Sequence, residues 1–200
     1  MKGLNIFEIA LIVNMIIGFI IRFPYEKMNS KSPKIDNNHN FKESFFLILT
    51  FTGGLTLPIL YFLTPWFDFA NFEVNYFLGA IGVLLIIPSN WLFWRSHKDL
   101  DRQFSPKLEI KESHQLITHG VYKNIRHPMY SALLLNSCCQ LLLIGNWVVA
   151  PAYLIGLSCL YLTRVGNEEN LMLKHFGNEY VAYANRTHRL FPKLSNKVNT

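Results

Sequence analysis

Long apolar runs alternate with short polar segments along this chain. Each run has 17 to 19 residues, and charge is almost absent from all of them: Leu4–Ile21, Phe45–Leu63, Tyr76–Trp94, Met129–Gly145 and Trp147–Thr163. As a helix, such a run reaches about 25–28 Å, close to the hydrocarbon core of a bilayer at about 30 Å. Backbone groups in lipid need internal hydrogen bonds, so the pattern predicts about five transmembrane helices.

The connections between these runs refine the prediction. Only Asn146 separates the last two runs, which predicts a tight helical hairpin. Pro58 and Pro88 lie inside the second and third runs, where proline kinks a helix. The first run could be a signal peptide, but no A-x-A cleavage site follows it, so we expect a retained helix. The predicted fold class is an all-α polytopic membrane protein.

Composition and charge agree with a membrane protein. Half of the residues are apolar and only 16% are charged, whereas soluble domains have roughly a quarter charged. Lys and Arg follow the first, third and fifth runs, while the connection between the second and third holds only Asp68 and Glu73. The positive-inside rule then places the N-terminus outside and residues 95–128 and the C-terminal tail in the cytoplasm. The net charge of +6 is explained in this way, and no nucleic-acid partner is expected.

Polar residues that could take part in catalysis or ligand binding are concentrated in two segments, 95–130 and 164–192. Both adjoin the hairpin, so they can meet over it at the cytoplasmic face. Gly120 lies where a turn is expected, and Gly177 can end a helix running from about Val165 to His175. From the residues alone, the first segment also fits a turn at the membrane interface where the chain enters the bilayer. The second also fits a solvated pair of glutamates at the start of a helix.

Other kinds of site have little support in the sequence. His114, His119 and His127 have no carboxylate or Cys at a familiar metal-ligand spacing, so no metal is expected. The three Cys residues lie in apolar runs. Glycine-rich nucleotide-binding motifs and the GxSxG motif are absent from the sequence.

The two polar segments contain an ordered set of motifs: His114–Thr118 (HQLIT), Gly120–Tyr122 (GVY), Arg126–Tyr130 (RHPMY), Glu168-Glu169, Phe176-Gly177, Tyr180 and Pro192. In order and spacing this set resembles the isoprenylcysteine carboxyl methyltransferase family over about residues 95–192. The resemblance implies an integral membrane methyltransferase that uses S-adenosylmethionine and releases S-adenosylhomocysteine. It also implies a lipophilic, isoprenylcysteine-like acceptor that lies among the membrane lipids. The acceptor would be methylated on its carboxylate at the cytoplasmic face of the membrane.

The resemblance also implies residue roles. Arg164 falls at a substrate-positioning site, and Arg95 is a candidate for the family's other substrate-facing arginine. Glu169 is a further catalytic candidate from its own chemistry, as a base for an amine or thiol acceptor. Cofactor-binding positions carried over from the family are Glu109, His114, Gln115, Leu116, Ile117, Tyr122, His127, Pro128, Met129, Tyr130 and Glu168. Two positions depart from the family pattern, since Met172 replaces a Leu and Glu109 stands where eukaryotic members have Gln. Residues 1–94 would then supply three membrane helices and residues 95–200 the catalytic region, in one integrated domain.

Elementary chemistry fits these roles. Glu168 can pair with the ammonium of S-adenosylmethionine, and the forked guanidinium of Arg164 suits a carboxylate. A carboxylate acceptor is ionised at pH 7 and needs no general base. Three alternatives stay open: a phospholipid-amine or thiol acceptor, for which Glu169 or a His would act as base; a membrane reductase using NADPH; and a non-catalytic membrane component.

Overall fold

The computed structural model describes residues 4–29, 41–101 and 115–192. These residues form seven α-helices: α1 (Ile6–Asn29), α2 (Phe41–Phe51), α3 (Leu57–Leu63), α4 (Tyr76–Leu100), α5 (Pro128–Leu143), α6 (Val149–Phe176) and α7 (Asn178–Arg186). A π-helical turn, Thr52–Thr56, joins α2 to α3, and 3₁₀ turns lie at Asp68–Ala70 and Gly120–Lys123. The described part of the chain contains no β-strand, so the all-α fold predicted from the sequence is confirmed.

Four of the predicted spans are long and apolar enough to cross a membrane: α1, the continuous α2–α3 run, α4 and α6. The fifth, α5, is apolar but has only 16 residues. Large apolar side chains, such as Phe19, Leu84 and Leu162, face outward from these helices. Such a surface suits lipid rather than water. The prediction of a multi-pass membrane protein is confirmed.

The helix boundaries differ from the prediction at the C-terminal end of the hairpin. The sequence predicts a span ending near Thr163 and a separate helix starting near Val165, but α6 runs without a break to Phe176. Leu, Met, Glu and Lys dominate its last turns, and these residues favour continued helix. The helix ends at Gly177, as predicted, where a φ of +52° suits glycine.

Small residues allow α2 and the π-helical turn to pack closely on α6. A Cβ atom on Gly53 would lie 2.6 Å from the Ala152 carbonyl oxygen, and one on Gly156 would lie 3.0 Å from the Thr50 Cα. The Gln140 side chain of α5 donates from Nε2 to the Gly53 carbonyl oxygen at 2.9 Å. Because a π-helical turn disturbs the regular ladder, a side-chain donor inside the membrane region satisfies an otherwise costly carbonyl.

The hairpin turn between α5 and α6 is held by Asn146, which is fully buried. Its Oδ1 accepts from the backbone N–H groups of Val148 and Val149, both at 3.0 Å. Its Nδ2 donates to the Phe67 carbonyl oxygen at 2.7 Å and to Asn71 Oδ1 at 2.8 Å. One amide side chain thus caps α6 and joins the turn to the connection between α3 and α4.

Candidate active site

The chain that follows α7 lies beside the segment that precedes α5. The backbone N–H of Arg126 donates to the His188 carbonyl at 2.8 Å, and that of His127 donates to the Arg189 carbonyl at 2.9 Å. The two polar segments therefore meet over the hairpin, as the sequence predicts. This pairing brings the RHPMY motif next to the final turns of α6.

Glu169 lies between cationic side chains. Its Oε1 accepts from Arg126 Nε at 3.1 Å, and its Oε2 accepts from Arg189 Nη2 at 2.7 Å. His127 Nε2 lies 3.3 Å from the same Oε1. Arg126 also donates to two backbone carbonyls near the end of α7. The bond to Glu169 raises the pKa of Arg189 above its usual value. Glu169 thus joins α6, the RHPMY motif and the C-terminal segment.

Glu168 faces a different set of groups and is more accessible. The Tyr130 hydroxyl donates to its Oε2 at 3.3 Å, and His127 Nδ1 lies 3.8 Å from its Oε1. Its side chain is 26% exposed, compared with 15% for Glu169. The imidazole of His127 therefore lies between the two carboxylates. Glu168 combines a partly accessible negative charge with neighbours that fix its orientation.

Arg164 is a buried cation in the same cluster. Its Nε lies 3.7 Å from Glu168 Oε2, one helical turn along α6. Its Nη1 lies 3.3 Å from Oε1 of Glu43, which comes from the first turn of α2. The side chains of Arg164 and Glu43 are 9% and 13% exposed. The N-terminal half of the chain thus contributes a carboxylate to the site.

The turn at Gly120 is fixed from the end of α4. Gly120 has a φ of +58°, and a Cβ at this position would collide with the Asp99 carboxylate. Asp99 Oδ2 accepts from the Val121 N–H at 2.8 Å, and its Oδ1 lies 2.9 Å from Arg95 Nη2. Tyr122, which follows, is buried, and this burial raises the pKa of its hydroxyl so that it stays protonated. The predicted turn is therefore present and has a structural cause.

An open cleft of about 490 Å³ borders the cationic side of Glu169. Its lining comes from the RHPMY motif, α6, the end of α7 and the segment after it: Arg126, Tyr161, Ala184, Asn185, Thr187, His188, Arg189, Leu190 and Phe191. None of the described residues predicted to bind the cofactor lines this cleft. The cleft is therefore lined by other residues than those gathered around Glu168.

Comparison with known proteins identifies the chain's relatives. The isoprenylcysteine carboxyl methyltransferase (ICMT) family profile matches residues 80–174. A probable protein-S-isoprenylcysteine O-methyltransferase of Oryza sativa subsp. japonica is 27% identical over 141 residues, which are 70% of this chain and 74% of that protein. Protein-S-isoprenylcysteine O-methyltransferase A of Arabidopsis thaliana is 28% identical over 133 residues, 66% and 68% of the two chains. These matches support membership of the ICMT family, so the resemblance predicted from the sequence is confirmed.

A solved ICMT structure supports the same fold. It is described as the eukaryotic intramembrane Ras methyltransferase ICMT without a monobody, and it matches with a TM-score of 0.54 and 23% identity. The match covers 78% of this chain and 55% of that one. The helical membrane architecture is therefore shared, while the solved protein is considerably longer.

Four residues predicted from the resemblance to ICMT proteins meet in one cluster: His127, Tyr130, Arg164 and Glu168. Pro128 and Met129 lie beside them in the first turn of α5. The other described cofactor-binding positions lie before or within the 3₁₀ turn at Gly120–Lys123. Gln115 is exposed, Leu116 and Ile117 are half-buried, and Tyr122 is buried. Glu109 and His114 lie outside the described residues. All of these cofactor-binding roles stay predictions.

The two additional catalytic candidates have clear structural partners. Arg95 pairs with Asp99 on its own helix and so supports the Gly120 turn. Glu169 is bound by two arginines. Both residues therefore have contacts that support the structure, and their catalytic roles stay predictions. Within the described ranges, no group of three His, Cys, Asp or Glu side chains is arranged to hold a metal ion.

Sequence reasoning missed several residues of the site. Glu43 stands beside an apolar run and far from the family motifs, so no local signal pointed to it. Asp99 and Arg189 were likewise not singled out. The spacing of Asp99 four residues after Arg95 is a helical ion-pair signal that was available. Arg189 and Glu43 become visible only when distant segments are brought together.

Proposed function

We propose that this chain is an S-adenosylmethionine-dependent membrane methyltransferase that methylates the carboxylate of a lipophilic, isoprenylcysteine-like acceptor. The observation that carries the proposal is the pair formed by Arg164 and Glu168 at one end of the membrane helices. The reaction brings a cationic methyl donor next to an anionic acceptor. A buried arginine beside a partly accessible glutamate offers each of them a partner of opposite charge.

The residues present fit the proposed methyl donor. S-adenosylmethionine carries an ammonium, a carboxylate and a sulfonium, and when bound it supplies an electrophilic methyl group. Glu168 would pair with the ammonium, and His127 would hydrogen-bond a polar edge. The ring of Tyr130 would face a positive charge. The remaining predicted positions would enclose the adenosine: Glu109, His114, Gln115, Leu116, Ile117, Tyr122, Pro128 and Met129.

The same geometry favours a carboxylate acceptor over an amine or a thiol. Arg164 would orient the acceptor carboxylate with two parallel N–H donors. An amine or thiol would instead need a base, and Glu169 is poorly suited because Arg126 and Arg189 already bind its oxygens. For a carboxylate, desolvation and alignment supply the rate enhancement, and positioning of this kind can contribute about 7–11 kcal/mol.

We further propose that the site faces the cytoplasm and that the N-terminus lies outside. Ion pairs of Arg95 near the end of α4, of Glu43 at the start of α2 with Arg164 of α6, and of Arg126 just before α5 all lie at this end of the helices. The positive-inside rule then gives the orientation. We also propose that residues 1–94 and 95–200 act as one domain. The contact between Glu43 and Arg164 across these halves supports that proposal.

The test combines binding and turnover in detergent-purified protein. Calorimetric titration with S-adenosylhomocysteine is expected to show micromolar binding, with NADPH as the parallel titrant. Transfer of labelled methyl groups is then measured to an N-acetylated S-prenylcysteine, a phosphatidylethanolamine and a small lipophilic thiol. Methylation of the prenylcysteine supports the proposal, whereas transfer only to the amine or thiol overturns the acceptor. Binding of NADPH alone indicates a reductase, and binding of neither ligand with no transfer indicates a non-catalytic protein.

A further inference from the structure

We propose that Glu43 is an internal competitor of the acceptor: its carboxylate occupies the Arg164 site and leaves when an acceptor carboxylate binds. This inference deepens the proposed function and rests on it. Glu43 lies outside the region that matches the family profile, residues 80–174. Its Oε1 lies 3.3 Å from Arg164 Nη1.

Helix packing determines the position of Glu43. The π-helical turn and α2 lie antiparallel to α6, with Gly53 against Ala152 and Thr50 against Gly156. On α2, Glu43 precedes Thr50 by seven residues, and on α6, Arg164 follows Gly156 by eight residues. Because the two helices are antiparallel, the ion pair lies on the same line of close contact. Glu43 is also in the first turn of α2, where the helix dipole favours a carboxylate. The carboxylate is therefore placed at the guanidinium by the fold.

The charge balance at Arg164 makes simultaneous binding of an acceptor costly. Glu43 and Glu168 already face this one guanidinium, at 3.3 and 3.7 Å. A further carboxylate would add like-charge repulsion in a poorly hydrated place. A pairing between Glu168 and the donor's ammonium would leave Glu43 as the acceptor's direct rival.

Exchange is feasible because the existing contact is a single, rather long ion pair that a better-placed carboxylate can replace. A distance of 3.3 Å between Nη1 and Oε1 is longer than the usual 2.7–2.9 Å of a charge-assisted bond. An acceptor carboxylate that engages two N–H groups in parallel would bind more strongly. Glu43 would then keep Arg164 paired in the resting protein and give way to the proper anion.

The first experiment compares Glu43→Gln with the wild-type chain, using N-acetyl-S-farnesylcysteine as acceptor. Removing the rival charge is expected to lower the KM for the acceptor about 3- to 10-fold, with kcat within about 2-fold. The KM for S-adenosylmethionine should stay unchanged. Glu73→Gln is the matched control, because Glu73 is exposed in the connection between α3 and α4. An unchanged or higher acceptor KM in Glu43→Gln would overturn the proposal.

The second experiment needs no variant and so does not depend on folding of Glu43→Gln. Carboxylates of the wild-type protein are labelled with carbodiimide and glycine ethyl ester, and each site is quantified by mass spectrometry. The Glu43 side chain is 13% exposed without acceptor, so its labelling should rise about 3-fold or more with saturating N-acetyl-S-farnesylcysteine. Glu73 serves as the internal reference. Unchanged or reduced labelling of Glu43 contradicts the exchange.

These results separate the two proposals. If wild-type protein transfers no methyl group to the prenylcysteine, the proposed function fails and the competitor role fails with it. If transfer occurs but Glu43→Gln leaves the acceptor KM unchanged, only the competitor role fails. Binding of S-adenosylhomocysteine to each variant verifies that it is folded.

Discussion

The two ends of the helical bundle are stabilised by different chemistry. At the hairpin end, the buried amide of Asn146 and backbone hydrogen bonds close the turn, and these contacts carry no formal charge. At the opposite end, the guanidinium groups of Arg126 and Arg164 meet the carboxylates of Glu169 and Glu168. The turn at one end is held by uncharged hydrogen-bonding groups, while the other end is held by ion pairs and is partly accessible.

This difference separates structure from function within one fold. A neutral group with all of its hydrogen bonds made is well suited to hold a turn, because nothing is gained by exchanging its partners. Charged groups placed side by side can exchange one ionic partner for another, which a binding site requires. Within the charged end the same contrast recurs, since Glu169 is held by several donors and Glu168 is more accessible.

Removing Arg164 should have the largest functional effect. Arg164→Ala takes away the proposed partner of the acceptor carboxylate and is expected to lower kcat/KM for N-acetyl-S-farnesylcysteine about 100- to 1000-fold. Binding of S-adenosylhomocysteine should change less than about 3-fold. Arg164→Lys should recover part of the activity, because it keeps the charge without the fork. Steady-state kinetics and calorimetry provide the measurement, and an equal loss of both properties would contradict the assignment.

Asn146→Ala tests the opposite end of the bundle. The change removes the cap of α6 and leaves several buried backbone groups without their amide partner, so we expect a loss of about 2–3 kcal/mol in unfolding free energy. Denaturation in detergent measures the loss, and Asn71→Ala is the matched control with a smaller expected effect. Activity per folded molecule should stay at the wild-type level. A selective loss of turnover in folded Asn146→Ala would show that the two ends are coupled.

The fold was largely predictable from hydropathy. Apolar runs of helix length in a poorly charged chain leave few other arrangements in a membrane, and the hairpin followed from the single polar residue at Asn146. The prediction that the helix breaks after Thr163 was wrong, because charged residues at a membrane boundary do not by themselves end a helix. Only a backbone signal such as Gly177 does so here. Hydropathy therefore predicted membrane segments better than helix ends.

The site was predictable only where motifs exist. The positions of His127, Tyr130, Arg164 and Glu168 came from a resemblance, and their clustering followed from two segments flanking one hairpin. Glu43 could not be predicted, because its role depends on the register of α2 against α6. That register is decided by close contacts of glycines, and the sequence does not distinguish such a glycine from Gly166 of α6, which makes no close contact.

Glu168→Ala tests the accessible half of the charged end. Loss of the proposed partner of the cofactor's ammonium is expected to weaken binding of S-adenosylhomocysteine about 10- to 100-fold. Calorimetry on detergent-purified protein gives the dissociation constant. Glu179→Ala, at an exposed site on α7, is the matched control and should bind normally. Unchanged affinity in a folded Glu168→Ala protein would remove this residue from the cofactor site.

The smallest expected effect comes from the exposed side of the Glu169 network. Arg189 is 51% exposed and Arg126 is 13% exposed, although both bind the same carboxylate. Solvent screens exposed ion pairs, so Arg189→Lys should cost less than about 1 kcal/mol of stability and should matter less at high salt.

Arg126→Lys should cost more than Arg189→Lys, at about 1–3 kcal/mol. Arg126 also donates to two backbone carbonyls near the end of α7, and lysine cannot reproduce this fork. Thermal unfolding of both variants in detergent, at low and high salt, compares the two losses directly. If Arg189→Lys lowers the stability as much as Arg126→Lys does, burial does not determine how much each of these contacts contributes to stability. The distinction between a structural Glu169 and an accessible Glu168 would then lose its physical basis.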